Sequence, residues 1–273
     1  MSTPDLEYTA VGEYTESLRT LQTITEEGNQ KHVVGKDTDG VGHVEVGEGV
    51  VRRADGSAER YLGMETESGT YFERNAVLGA DGQVRSQSEE EYDGEGNLLA
   101  GRYDNDGDGV IDRMLKDKNG DGILDETTLS KETVGTNQCF DWQGDGNWTV
   151  DADKDGKTDW QSQIAVVDGE VLHAVDLLVE GKVLATETAT MHATGTTREY
   201  SADVDGNGHS EDHGVVELDA TAKALNFTAY TTSNDSTHAV VSYSHDSNGD
   251  GKIDEMAEDE DKDGDLDVTK IGS

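Results

Sequence analysis

The chain has 273 residues, a formal net charge of −39 and a hydrophobic fraction of only 32%, which allows one large domain or two modest ones around a thin core. So acidic a surface repels nucleic acid and anionic membranes, which excludes both as partners. No apolar run approaches the ~18 residues of a membrane-spanning helix.

Low hydrophobicity with high charge ordinarily gives disorder. Here the acids recur at fixed spacings and the stretches between them alternate in polarity, which points to a folded chain stapled by metal. The N-terminus, MSTPDLEYTAVGEY, has neither a basic nor an apolar segment, so no signal peptide is expected in the sequence as it stands. Residues 14–27 offer the one candidate helix, yet the Thr-rich LRTLQTIT reads better as a strand. Pro4 is the only proline against 33 glycines, so turns must come from Gly and Asp, which accept positive φ. Such turns are predicted at 54–57, 79–82, 93–97, 167–170 and 180–182. Strands rich in Val, Thr, Tyr and Leu are predicted at 163–167, 171–179, 182–190, 225–232 and 238–243. The expected fold is all-β: an elongated antiparallel β-hairpin meander with metal loops at the strand connections.

One phrase, Asp-x-(Asp/Asn)-x-(Asp/Asn)-Gly-x-x-(Asp/Glu), occurs six times. The first copy offers Asp104, Asp106, Asp108 and Asp112 with the carbonyl of Val110, and the second Asp117, Asn119, Asp121 and Asp125 with that of Ile123. The third offers Asp151, Asp153, Asp155 and Asp159 with Lys157, and the fourth Asp203, Asp205, Asn207 and Glu211 with His209. The fifth offers Asp246, Asn248, Asp250 and Asp254 with Lys252, and the sixth Asp259, Asp261, Asp263 and Asp267 with Asp265. Oxygens at positions 1, 3 and 5 converge, Gly at position 6 permits the sharp turn, the position-7 carbonyl turns inward, and the position-9 acid closes the shell. That donor set suits calcium, a hard cation taking six to eight oxygens. Asp/Gly turns without metal are the plain alternative, and recurrence of the full phrase favours metal.

Two degenerate copies are weak candidates. One has Asp37, Asp39 and Glu45 but Val41 at position 5, and the other has Asp141, Gln143 and Asp145 but Thr149 at position 9. Asp93, Glu95 and Asn97 read as an ordinary turn. The copies at Asp104 and Asp246 each have a second copy thirteen residues on, across the linkers 113–116 and 255–258, and these tandem pairs are expected to act as rigid joints. The two tandem stretches share one layout, and 37–45 matches 203–211. Two related modules, 1–140 and 141–273, the second short of one hairpin, would explain this; so would chance similarity of Asp/Gly-rich sequence.

The loop phrase resembles the calcium loops of EF-hands, dockerins and thrombospondin type 3 repeats. It departs from the EF-hand at position 12, where Leu115, Thr128, Ser162, Gly214, Ala257 and Lys270 stand in place of the bidentate Glu. Closure at position 9 and the tandem spacing are more similar to thrombospondin type 3 repeats, without that family's disulfides. The segment 92–98, YDGEGNL, resembles a YD repeat, which implies a β-hairpin.

Cys139 is the only cysteine, so no internal disulfide forms, and its hydrophobic neighbours make it a buried thiol. Trp142, Trp148 and Trp160 cluster around the middle loops; a local core is the favoured reading and a sugar-stacking platform the other. The eight histidines show no zinc spacing, and no nucleophile or phosphate-binding motif stands out. The expected function is non-enzymatic: an extracellular or cell-surface structural protein stabilised by about six calcium ions and self-assembling into a homo-oligomer or filament. Open strand edges, with residues 6–25 as the candidate segment, would pair the copies. A calcium-dependent adhesin or carbohydrate-binding module is the alternative.

Overall fold

The computed structural model describes residues 6–9, 18–24, 29–36, 46–65, 69–133, 140–142, 147–151, 155–179, 181–203, 205–221, 223–233, 239–250, 252–259 and 266–270. Cys139 and the loop at residue 37 lie outside them. Among the described residues there is no helix. Strands β1 (Leu6–Thr9), β2 (Leu18–Ile24), β3 (Gln30–Lys36), β4 (Val46–Arg52), β5 (Ala58–Glu65), β6 (Tyr71–Leu78), β7 (Val84–Tyr92), β8 (Leu98–Asp104), β9 (Val110–Lys116) and β10 (Asp125–Thr133) form one sheet in sequence order. A second sheet follows with β11 (Phe140–Trp142), β12 (Asn147–Val150), β13 (Trp160–Val167), β14 (Glu170–Val179), β15 (Lys182–His192) and β16 (Gly195–Ala202). It continues through β17 (Asp212–Asp219), β18 (Ala224–Thr232), β19 (Val240–Asp246), β20 (Glu255–Glu258) and β21 (Asp267–Lys270). Every neighbouring pair is antiparallel, and neither sheet closes into a barrel.

Turn chemistry explains this regularity. In the turn after β4 the Gly56 N–H donates to the Arg53 carbonyl (3.0 Å) and the Arg53 N–H to that of Ser57 (2.8 Å). Gly56 carries φ of 81°, a left-handed conformation that glycine adopts without strain. The turns at 79–83 and 93–97 repeat both bonds, and Asp55, Asp81 and Asp93 each accept the N–H two residues on. From residue 37 to residue 104 the chain crosses five strands (β4–β8), and from 203 to 246 it crosses three (β17–β19), a difference of one hairpin.

The sheets stack face to face around one core that mixes Val34, Val50, Leu62 and Met64 of the first with Trp148, Trp160, Val175 and Met191 of the second. Both described tryptophan rings are 1% exposed, so they are core and present no open stacking face. Through this core runs a line of buried charge. The Arg60 guanidinium donates from Nε to Glu48 Oε1 (2.6 Å) and from Nη2 to Ser162 Oγ (2.6 Å), and lies over the Trp148 ring at 3.9 Å. Trp160 Nε1–H donates to Glu48 Oε2 (3.0 Å), while His173 Nε2 stands 3.2 Å from Glu48 Oε1. His173 Nδ1 meets His32 Nδ1 at 2.9 Å, and His32 Nε2 lies 3.4 Å from Glu187, which Arg198 grips.

These contacts fix how the layers register. They pair β3 with β15, β4 with β13 and β14, and β5 with β12 and β13. Strand order therefore runs in opposite senses in the two layers. Carried outward, this pairing would put β7 over β11 and β1 over β17, with β8–β10 past one end and β18–β21 past the other; the shared core accordingly draws no residue from those strands. Burial agrees: in β13 buried residues alternate with exposed ones, whereas residues 226–232, 241–245 and 112–115 are half-buried on both faces. A strand covered on one face keeps a two-residue period in burial; a strand in a single layer loses it.

Breaking a buried ion pair strands the partner charge. Glu48→Ala is therefore expected to lower the unfolding free energy by about 3–5 kcal/mol, and adding Arg60→Met should restore part of it. Denaturant unfolding of both variants in calcium checks this; no recovery in the double variant would mean that packing rather than charge sets the loss.

Burial pushes the His32 imidazole down from 6.5 to about 4. The unfolded chain thus binds a proton below pH 6.5 that the folded chain refuses. This contribution to stability is complete above that pH and is lost as pH falls toward 4, by up to about 3 kcal/mol. Burial alone would raise the Glu48 and Glu187 carboxyls, but Arg60 with His173 and Ser162 around the first, and Arg198 with His32 around the second, together outweigh it and hold both below the usual range, so their contributions fade only below about 4.5. Denaturation in saturating calcium should show a flatter pH dependence between 6.5 and 4 for His32→Asn than for the parent; identical slopes would contradict this assignment.

Candidate metal centre

All six loops fall at strand connections: β8–β9, β9–β10, β12–β13, β16–β17, β19–β20 and β20–β21. The predicted four-residue linkers of the tandem pairs belong to strands β9 and β20.

Two loops gather three carboxylates each. Oxygens of Asp104, Asp106 and Asp108 lie within 4.8 Å of one another, and so do those of Asp203, Asp205 and Glu211. Either group could hold a metal ion. Asp104 and Asp203 are 2% exposed. Each uses both oxygens to organise its own loop: Asp104 accepts the N–H groups of Gly107 (2.8 Å) and Gly109 (2.9 Å), and Asp203 those of Gly206 (2.7 Å) and Gly208 (2.6 Å).

The same wiring recurs where an Asn replaces one acid. Asp117 accepts from Gly120 and Gly122, and Asp246 from Gly249. The donors converging on Asp117, that of Gly122 foremost, hold its carboxyl below the usual range. Asn119 and Asn248 take the position-3 role by accepting the N–H of Asp121 and Asp250 at 2.9 Å. Position 5 fixes position 7 in the five loops where both are described: Asp108, Asp121, Asp155, Asn207 and Asp250 accept from Val110, Ile123, Lys157, His209 and Lys252. In the third loop Asp151 accepts from Asp155 and Gly156.

Closure at position 9 takes two forms. Glu211 joins its cluster, while Asp112, Asp125 and Asp254 accept the N–H of Asn105, Lys118 and Ser247 at position 2. Asp159 and Asp254 also anchor the strands through backbone N–H bonds to Val150 and His245. Asp153, Asp261, Asp263 and Asp265 lie outside the described residues, as do Gln143 and Asp145, whereas Asp259 and Asp267 flank the sixth loop at the ends of β20 and β21. Asp93 spends its carboxylate on the amides of Glu95 and Asn97, which makes 93–97 a hairpin turn.

The loops press against their sheets. A Cβ on Gly107 would overlap the Val84 carbonyl at the start of β7, and one on Gly249 the Ala224 carbonyl at the start of β18. With φ of 74° and 67°, these position-4 glycines serve both turn and fit. The buried line Glu48, Arg60, His32, His173, Glu187 and Arg198 went unnoticed in the motif reading. Its signal was phase: Glu48 shares one face of β4 with Val46 and Val50, and Arg60 one face of β5 with Ala58 and Leu62.

No family model matches the chain, and a search of curated proteins found no match.

Asp106→Asn separates the two roles of a loop acid. Asn keeps the acceptor, as Asn119 and Asn248 show, and removes one of three crowded charges. The variant is expected to melt lower than the parent in calcium and higher in chelator, because the deleted charge binds metal in one case and only repels in the other. The same sign of change in both buffers would refute metal binding by this loop.

Proposed function

We propose that this chain is a structural protein of the extracellular space or a cell surface, with calcium replacing a hydrophobic core where its sheets run single. The observation that carries this reading is the position of the tandem loops. Both pairs join strands that project past the shared core, β8–β10 and β19–β21. An antiparallel sheet without a second layer has little apolar burial to offset its ordering entropy. Bound ions supply that stability and cancel the repulsion between loop acids.

Calcium is favoured among metals by an all-oxygen donor set with several carboxylates; magnesium demands a smaller octahedron and keeps its waters. About six sites are proposed, one per full phrase. Loops of this kind suit dissociation constants on the order of 10⁻⁴–10⁻³ M, met outside cells. The buried Trp148 and Trp160 rings lend nothing to a sugar-binding reading.

Hydrogen exchange with and without chelator tests the proposal. Removing calcium should speed exchange first in β8–β10 and β19–β21, with β13–β15 still protected, and the melting temperature should fall and be recovered by calcium far better than by magnesium. Unchanged melting, or uniform loss of protection over both sheets, would overturn it.

A further inference from the structure

We infer that the two single-layer ends are mates: the β8–β10 face of one copy stacks on the β18–β21 face of the next, continuing the two-layer sandwich from chain to chain. The inference rests on the structural reading above and adds the contact surface.

Strand register shows that both faces extend the established core. In the first sheet one lateral row runs Glu48, Leu62, Arg74, Glu89, Arg102, Met114, so Met114 lies on the face that buries Leu62. In the second sheet a row runs Ser162, Val175, Glu187, Tyr200, Gly214, Ala229, Ser244, Met256, so Met256 shares the face of Val175. The two projections belong to opposite layers, leave opposite ends and turn their inner faces toward each other's layer. A second copy displaced along the sheet direction therefore brings its β18–β21 beneath the first copy's β8–β10, in the relation that β12–β15 already hold to β3–β6.

The chemistry of the faces is complementary. The first bears a hollow of about 470 Å³ whose lining includes apolar Phe72, Ala100 and Met114, the cations Arg102 and Lys116, and the glutamates 89–91. Arg102 pairs with Glu89 there, so the lining is apolar with mixed charge. The second presents Phe227, Ala229, Ser244, Met256 and Glu258, with Met256 37% exposed. Phe227 packs there on the small cluster of Val216, Leu218 and Ala224. Met256 matches the apolar part of the hollow, and Glu258 matches Lys116. Three or four strands of four to nine residues cover roughly 15–20 Å by 13–30 Å, at the small end of specific interfaces, so association is concentration-dependent. Calcium in the tandem loops holds each projecting end in shape.

The contact is heterologous, which gives it a diagnostic behaviour. Met114→Asp spoils one end and Met256→Asp the other, and each leaves the remaining end intact. In millimolar calcium, sedimentation of the full chain should show oligomers growing with concentration, while each variant alone stays monomeric. A 1:1 mixture of the two variants should form dimers and nothing larger, because every dimer is capped by two spoiled ends. Deleting residues 1–25 should leave assembly intact, in contrast to pairing through the β1 edge. Thermal melts in calcium show whether each variant folds; should one unfold, Lys116→Glu and Glu258→Lys replace the pair, each weakening assembly alone and restoring it when mixed.

A parent chain that stays monomeric at about 100 µM overturns the stacking, and a calcium-dependent exchange pattern in that same sample would leave the calcium reading standing. A parent that assembles while the variant mixture stays monomeric, or a Met114→Asp chain that dimerises alone, also overturns it.

Discussion

Glu48 is a carboxylate with no access to water, and the rest of the architecture follows from satisfying it. Its partners come from both sheets: Arg60 from its own layer, Trp160 and His173 from the other. An apolar interface tolerates sliding by a strand at modest cost, because one Val or Leu replaces another. A buried charge does not, since a shift of one strand would leave Glu48 and Arg60 each without compensation. The line from Arg60 through the paired histidines to Glu187 and Arg198 therefore acts as a register lock between the layers. The stagger of the sheets is the consequence of that lock.

The stagger in turn decides which strands lack a second layer. With a hydrophobic fraction of 32%, the chain can build one shared core, and the core residues come from β3–β6 and β12–β16. Beyond it the strands add only a small cluster of Val216, Leu218 and Ala224 and scattered buried residues such as Ile111, and a ladder in water gains only about 1 kcal/mol per bond. The tandem loops fall on those strands in both sheets. Aromatic residues give a smaller form of help: the Tyr61 ring covers Gly49 and the Tyr200 ring covers Gly214, shielding backbone that a glycine leaves bare.

Much of the local structure was legible in the sequence because local rules govern it. The Asp-Gly turns at 54–57 and 79–82 announced their hairpins, residues 18–24 are the strand that LRTLQTIT suggested, and all six loop phrases stand between strands. The stacking of the two meanders was not legible. Nothing local to Glu48 says that its partners lie more than a hundred residues away at Trp160 and His173. The tryptophans show the same divide: spacing placed them beside the loops, while burial between the sheets depends on a layer that the local pattern does not reveal. A reading that tracks phase along each strand, and asks which polar residues fall among the buried ones, would have isolated Glu48, Arg60, His32 and His173 as a set.

The position-1 acids join these two levels of organisation. Asp104, Asp203 and Asp246 are buried at the ends of strands, and the amides of their own loops converge on them. An acid so held orders the loop as a backbone cap orders a turn, with the remaining ligands arranged outward. Less conformational entropy is then lost when an ion arrives, so affinity rises through preorganisation. The opposing term is repulsion, which grows with every carboxylate brought to one point. Asn119 and Asn248 keep the acceptor at position 3 while lowering that charge, which moderates the repulsion in the second and fifth loops. The balance gives loops shaped to receive a cation yet crowded with charge, and the tandem pairs among them stand on strands that contribute nothing to the shared core.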